Sequence, residues 1–146
     1  MPQYEKAAEK VKAMQGVTAA KAVGQAVQRY FLINGSYPTK WEDLDISYNM
    51  STHLTNPEKG GYLKYFIISF NMYDNNEMVL LDRMGGHNYR YTIVYCLNNG
   101  TMWCGAYAAN EQNGVKDKGI CEAIGGKEGY TLPPKCGTYR AYTYKL

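Results

Sequence analysis

Four cysteines, Cys96, Cys104, Cys121 and Cys136, are the residues of this sequence best placed to do chemistry. Seven, sixteen and fourteen residues separate them in turn, which matches neither the C-x-x-C pairs of a zinc site nor a redox dithiol. An even count gathered in the last third of the chain instead predicts two disulfides and an oxidising compartment. His53 and His87 fall in unrelated loops, so no mixed Cys/His metal centre is expected, and His87 in the run GGHN has no nucleophile nearby to activate. Asp43 and Asp45 flank Leu44 as turn carboxylates rather than as a general acid–base pair. Asp74, Glu77 and Asp82 bracket a strand too sparsely for a calcium loop and read as edge protection. Gly60-Gly61 and Gly85-Gly86 lack the spacing of a phosphate cradle. The triplets at Asn34, Asn49 and Asn99 fit the N-glycosylation pattern, but each sits where a turn favours asparagine anyway. With no convergent polar set, the chain is not expected to be an enzyme, and no cofactor, metal or small-molecule substrate is implied.

A chain of 146 residues with 45% hydrophobic and 20% charged content forms one globular domain that can bury a real core. The formal net charge of +3 is too small to argue for nucleic acid or an anionic membrane as partner. Fifteen tyrosines stand against three phenylalanines, a bias that suits half-buried strand faces and contact surfaces, where the ring packs and the hydroxyl stays wet. The sequence holds no run of about 18 apolar residues that would span a bilayer, and no basic start leading into an apolar core.

The element that must position everything else is the stretch from Pro2 to Gly35. Tyr4, Ala8, Val11, Met14, Thr18, Ala22, Ala26, Tyr30 and Ile33 recur every three or four residues, which is one face of an α-helix, and Val23, Val27 and Phe31 widen it later. Pro2 suits the first turn, and Asn34-Gly35 supplies a left-handed stop. At 1.5 Å per residue the helix extends on the order of 50 Å. Up to about Ala22 the stripe is mostly small residues, so the second half is expected to pack on a sheet while the first projects toward a partner. Ala7, Ala8, Ala13, Ala19 and Ala20 would allow another helix to approach closely. Lys6, Lys10, Lys12 and Lys21 read as a solvated face.

Residues 36–62 predict a connecting region. Pro38 extends Tyr37, Thr39 opens a short helix with Glu42 completing a capping box, Trp41 and Leu44 face inward, and 45–61 form a long surface connection. Residues 63–146 predict an antiparallel sheet. Its strands are Leu63–Phe70, Glu77–Arg83, the alternating Tyr89–Leu97, a hairpin partner after Asn99-Gly100, and a closing strand after Pro133-Pro134. A short helix in KDKGICEAI ends at Gly125-Gly126. The expected fold is α+β, a long N-terminal helix packed on an antiparallel sheet with two disulfides.

The hairpin constrains those disulfides. A two-residue Asn99-Gly100 turn sets Cys96 opposite Trp103 and Cys104 opposite Tyr95, so the two sulfurs point to opposite sheet faces and cannot bond each other. That leaves Cys104–Cys121 with Cys96–Cys136, or Cys96–Cys121 with Cys104–Cys136. The modest loop that Cys104–Cys121 closes onto the small helix favours the first.

PQYEKAAEKVKA, followed by AVQRYFLINGSYPTKWEDLDI, resembles the region of a bacterial type IV pilin or type II secretion pseudopilin that follows the membrane half of its helix. The likeness covers about residues 2–46 and includes the Gly-x-Tyr-Pro turn at Gly35–Pro38. The C-terminal cysteine pairs resemble the family's disulfide-bounded region. The resemblance implies a filament subunit that polymerises with copies of itself, or with other pilins or pseudopilins, through its N-terminal helix. Tyr4, Ala7, Ala8, Val11, Met14 and Thr18 would be the subunit contacts. It implies an apolar segment before Pro2 that anchors the subunit in the inner membrane and later forms the core of an extracellular fibre. Without that segment the chain is expected to be a soluble monomer. The alternative is a minor pilin or pseudopilin acting as a binding module at a fibre tip. A calcium-binding loop of the major-pseudopilin kind is not evident, which favours a pilus subunit.

Overall fold

The computed structural model describes residues 2–47, 51–52, 60–71, 76–83, 89–107, 114–137 and 142–146. The first 33 of these are one helix, α1 (Pro2–Asn34). Gly35 stops it with φ +76°, and its N–H donates to the Phe31 carbonyl at 2.8 Å, satisfying one of the last turn's orphan acceptors.

A 3-10 turn at Trp41–Asp43 follows. The expected capping box does not form. Glu42 makes no cap, and the Asp43 carboxylate accepts the Thr39 N–H at 3.3 Å, since a single 3-10 turn brings residue i+4 back over its own start. Leu44 is buried, and Trp41 stacks on Phe70 with ring centroids 6.2 Å apart.

Among the described residues seven strands then run in chain order, each antiparallel to the one before. They are β1 (Ser51–Thr52), β2 (Gly60–Tyr62), β3 (Phe66–Asn71), β4 (Met78–Arg83), β5 (Thr92–Cys96), β6 (Met102–Ala106) and β7 (Tyr142–Lys145), with helix α2 (Gly114–Ala123) between the last two. The α+β arrangement is therefore as the sequence predicts. The stretch expected to be a plain connection contributes β1 and β2. Gly60 pairs with Ser69 there, and the position takes glycine because a Cβ on it would collide with the Ile68 carbonyl of the neighbouring strand.

The alternation read in Tyr89–Leu97 decides the layers. Tyr91, Ile93, Tyr95 and Leu97 join the core beneath α1, together with Phe66, Ile68, Phe70, Val79, Leu81, Cys104 and Tyr144. Val94 and Cys96 point the other way, into a smaller buried cluster with Met78, Leu80, Trp103 and Cys136. The hairpin register differs from the expected one by two residues: Ile93 faces Cys104 and Tyr95 faces Met102. A closing bond from the Cys96 N–H to the Thr101 carbonyl makes the loop Leu97–Gly100, four residues rather than two. Because the side-chain period is two, a slip of two leaves every face unchanged. Cys96 and Cys104 accordingly lie on opposite faces, and the bridges are Cys96–Cys136 and Cys104–Cys121, with Cα separations of 5.6 and 5.5 Å.

Candidate functional site on the N-terminal helix

The helix has two distinct faces. Its inner face runs Glu9, Ala13, Gly16, Ala20, Val23 and Val27, with Ala19, Gly24 and Ala26 beside it, all buried. This corrects two expectations. The first half does not stand clear of the domain, since Ala13, Gly16, Ala19 and Ala20 lie against the sheet. The core stripe is also rotated away from Tyr4, Val11, Met14, Tyr30 and Ile33. The physical reason is the size of what faces the helix. Side chains of Phe66 and Ile93 come within 2.8–2.9 Å of where a Cβ on Gly16 would stand, and the Tyr95 ring fills the corresponding space at Gly24. Small residues in the first half are seats for sheet side chains, so the helix axis can lie close to β3, β4 and β5.

Glu9 is the residue that sequence reasoning missed. It is 3% exposed and accepts a two-pronged ion pair from Arg83 at the end of β4, Nε to Oε2 at 2.6 Å and Nη2 to Oε1 at 2.9 Å. The Tyr91 hydroxyl also donates to Oε2, at 2.5 Å. Arg83 Nη1 donates to the Tyr65 carbonyl at 3.3 Å, and its guanidinium packs over the Tyr65 ring. The Glu9 carboxylate raises the pKa of Arg83, chiefly through its hydrogen bond. Burial first, and then the bond to Glu9, push Tyr91 far above the ordinary tyrosine range. The available signal was positional: Glu9 lies four before Ala13 and seven before Gly16, on the small-residue stripe. A lone carboxylate is ordinarily taken as solvated.

The outer face carries the six residues that the resemblance nominates. Tyr4, Val11 and Met14 are 75%, 59% and 48% exposed, Ala7 and Thr18 are exposed, and Ala8 is partly covered. Lys10, Val11, Met14, Gln15, Thr18 and Ala19 line an open concavity of about 620 Å³. Its volume is that of a ligand pocket, but its polar groups do not converge, and the Thr18 hydroxyl already donates to the Met14 carbonyl at 3.1 Å. A smaller groove of about 250 Å³ separates the start of α1 from α2, between Glu5, Lys6, Tyr89, Val115, Lys116 and Gly119.

The other residues with chemical potential are dispersed. Asp45 pairs with Arg29 at the surface at 2.7 and 2.8 Å, and Glu77 pairs with Lys135 at 3.2 Å. Asn34 caps its own helix by donating to the Tyr30 carbonyl. Asn99 accepts from both the N–H and the hydroxyl of Thr101 within the hairpin. His53, His87, Asn49, Asp74 and Gly85-Gly86 lie outside the described residues. Among the described residues no group of three or more His, Cys, Asp or Glu could hold a metal ion, and no helix is long and apolar enough to cross a membrane.

No family model, no curated protein and no solved structure matches this chain.

Proposed function

We propose that this chain is the globular region of a filament subunit of the type IV pilin kind, polymerising through the outer face of α1. The observation that carries the reading is the two-sidedness of that helix. One face is seated on β3, β4 and β5, and the opposite face presents Tyr4, Val11 and Met14 to solvent at the spacing of a helix–helix contact. A rigidly held helix with a second apolar face can repeat one heterologous contact from copy to copy, and such a contact without closure builds a helical fibre. The two disulfides fit a subunit that works outside the cell. In this reading the partners are further copies, with other pilins or pseudopilins at the fibre ends, and catalysis is no part of the role. Inner-membrane anchoring would come from apolar chain ahead of Pro2.

The test is to express the complete gene product in its host, purify surface fibres and reconstruct them, with photo-crosslinkers placed at Val11 and Thr18. This subunit repeating along the shaft, with crosslinked dimers through α1, supports the proposal. Fibres carrying the chain only in traces assign it to the tip instead. An unaltered fibre population after deletion of the gene, with no crosslinked species, overturns both readings.

A further inference from the structure

Among the described side chains, the large exposed apolar residues of α1 fall at its two ends. Tyr4, Val11 and Met14 stand near the start. Leu32 and Ile33, 83% and 82% exposed, stand in the last turn, where Phe31 packs against the Tyr37 ring. Both groups lie on one side of the helix. Leu32 follows Met14 by about five turns of 3.6 residues, so the two are in line, and Ile33 lies within about 20° of Tyr4. The same side is polar in between, with Thr18, Lys21, Gln25 and Arg29 all exposed.

The two ends also differ in charge. Lys10 lines the concavity beside Met14, and Lys21 stands two turns beyond Met14 on its side of the helix. The last turn carries no basic residue, so the negative end of the helix dipole has no cation of its own there. Arg29, one turn earlier, is neutralised by Asp45 at 2.7 Å.

We propose that the end of α1 in one copy is the counter-surface for the concavity of the next, with Leu32 and Ile33 seated against Val11, Met14 and Thr18. The occupant of the concavity is thus a second copy of this chain. A stagger of about 27 Å, eighteen residues at 1.5 Å each, sets Leu32 beside Met14 with the helices parallel. Helical side chains lean toward the helix start, so Lys21 of the receiving copy reaches back to the bare carbonyl end of the arriving helix. Each copy offers its end to one neighbour and its start to another, so the contact extends instead of closing. The parallel direction rests on the filament reading, because an antiparallel pair of the same surfaces would stop at two copies.

Photo-crosslinking of this chain at millimolar concentration, mixed with isotope-labelled chain to identify adducts between copies, tests the contact. A benzophenone side chain replacing Leu32 should react within residues 10–19 of another copy, and one replacing Met14 should react within residues 29–34. Lys21→Gln should lower both yields about two- to fivefold, the range of one cation at a helix C-terminus. A probe at Gln25 fixes the direction. Adducts at residues 4–8 support the parallel stagger, whereas adducts at residues 18–22 mean a closed antiparallel pair and overturn it. No adducts, or adducts outside α1, overturn the contact altogether. Its fate is separable from that of the filament: the expected adducts alongside fibres unaltered by gene deletion keep the contact and remove the filament role. A shaft built from this subunit whose probes react elsewhere does the reverse.

Discussion

Gly24 lies so close to the ring of Tyr95 that a methyl group on it would overlap the ring carbons. The Tyr95 hydroxyl donates to Gln28 Oε1 at 2.7 Å, one turn further along, and Gln28 Nε2 donates to the Leu97 carbonyl at 2.9 Å. The ring is thus pinned at its tip, and it cannot retreat without breaking a bond.

Gly24→Ala should therefore destabilise despite the gain in helix propensity. Overpacking against a pinned ring costs about 1–3 kcal/mol, and propensity returns about 1. Gly16→Ala should cost less, because Phe66 and Ile93 meet the new methyl with side-chain ends that can shift. Denaturant midpoints of the two variants check the order, and equal or increased stability in Gly24→Ala contradicts the packing argument.

The two disulfides should contribute unequally. Their sequence separations are 40 for Cys96–Cys136 and 17 for Cys104–Cys121. Loop-closure entropy predicts that deleting the longer bridge, as Cys96→Ala/Cys136→Ala, costs about 0.8 kcal/mol more, on a base of about 2–4 each. Non-reducing peptide mapping should return these two pairs and no cross-pairing.

Tyrosine ionisation should be split. Burial and acceptor carboxylates raise Tyr91 and Tyr144 well above the usual 10.0, with Glu9 as the partner of the first and Glu128 of the second. A group whose folded pKa is raised stabilises fully below its unfolded value, and that stability drains away as pH climbs from about 10 toward the folded value. Ultraviolet titration should show exposed tyrosines ionising first, with Tyr91 and Tyr144 following only as the fold is lost. In Tyr144→Phe, Glu128 should return upward from its lowered pKa, whose main cause is the Tyr144 hydrogen bond, and carboxylate-resolved NMR reads that shift.

The outer helix face can be separated from folding. Val11→Lys and Met14→Lys replace side chains that touch solvent, so stability should move by no more than about 0.5 kcal/mol. Fibre yield from the complete gene should fall sharply if this face joins copies. Normal fibres from both variants would remove the face from the proposal.

Elements whose signal is local were legible. The alternation of Tyr91, Ile93, Tyr95 and Leu97 against Val94 and Cys96 assigned sheet faces correctly, and a hairpin register wrong by two still excluded a Cys96–Cys104 bridge because parity survived, while the modest loop onto the small helix chose between the two pairings left. The helix was legible as a helix, but its phase was not. Hydrophobicity pointed to Tyr4, Val11 and Met14, while the sheet selected Ala13, Gly16, Ala20 and Gly24, because what decides the inner face is the bulk of Phe66, Ile93 and Tyr95 from strands distant in sequence. Glu9 was illegible for the same reason. Its partners stand 74 and 82 positions away, and nothing local distinguishes it from Glu5.

The unbroken chain order of the strands has a temporal consequence. As the polypeptide emerges, each strand up to β6 can zip onto its predecessor by a short-range closure, and only β7 must wait for the long excursion through α2. The first helix is made earliest yet finds its seat latest, waiting for Arg83, Tyr91 and Tyr95 to arrive. Until then its small-residue side is bare, and any neighbour that meets it in that interval competes with its own sheet.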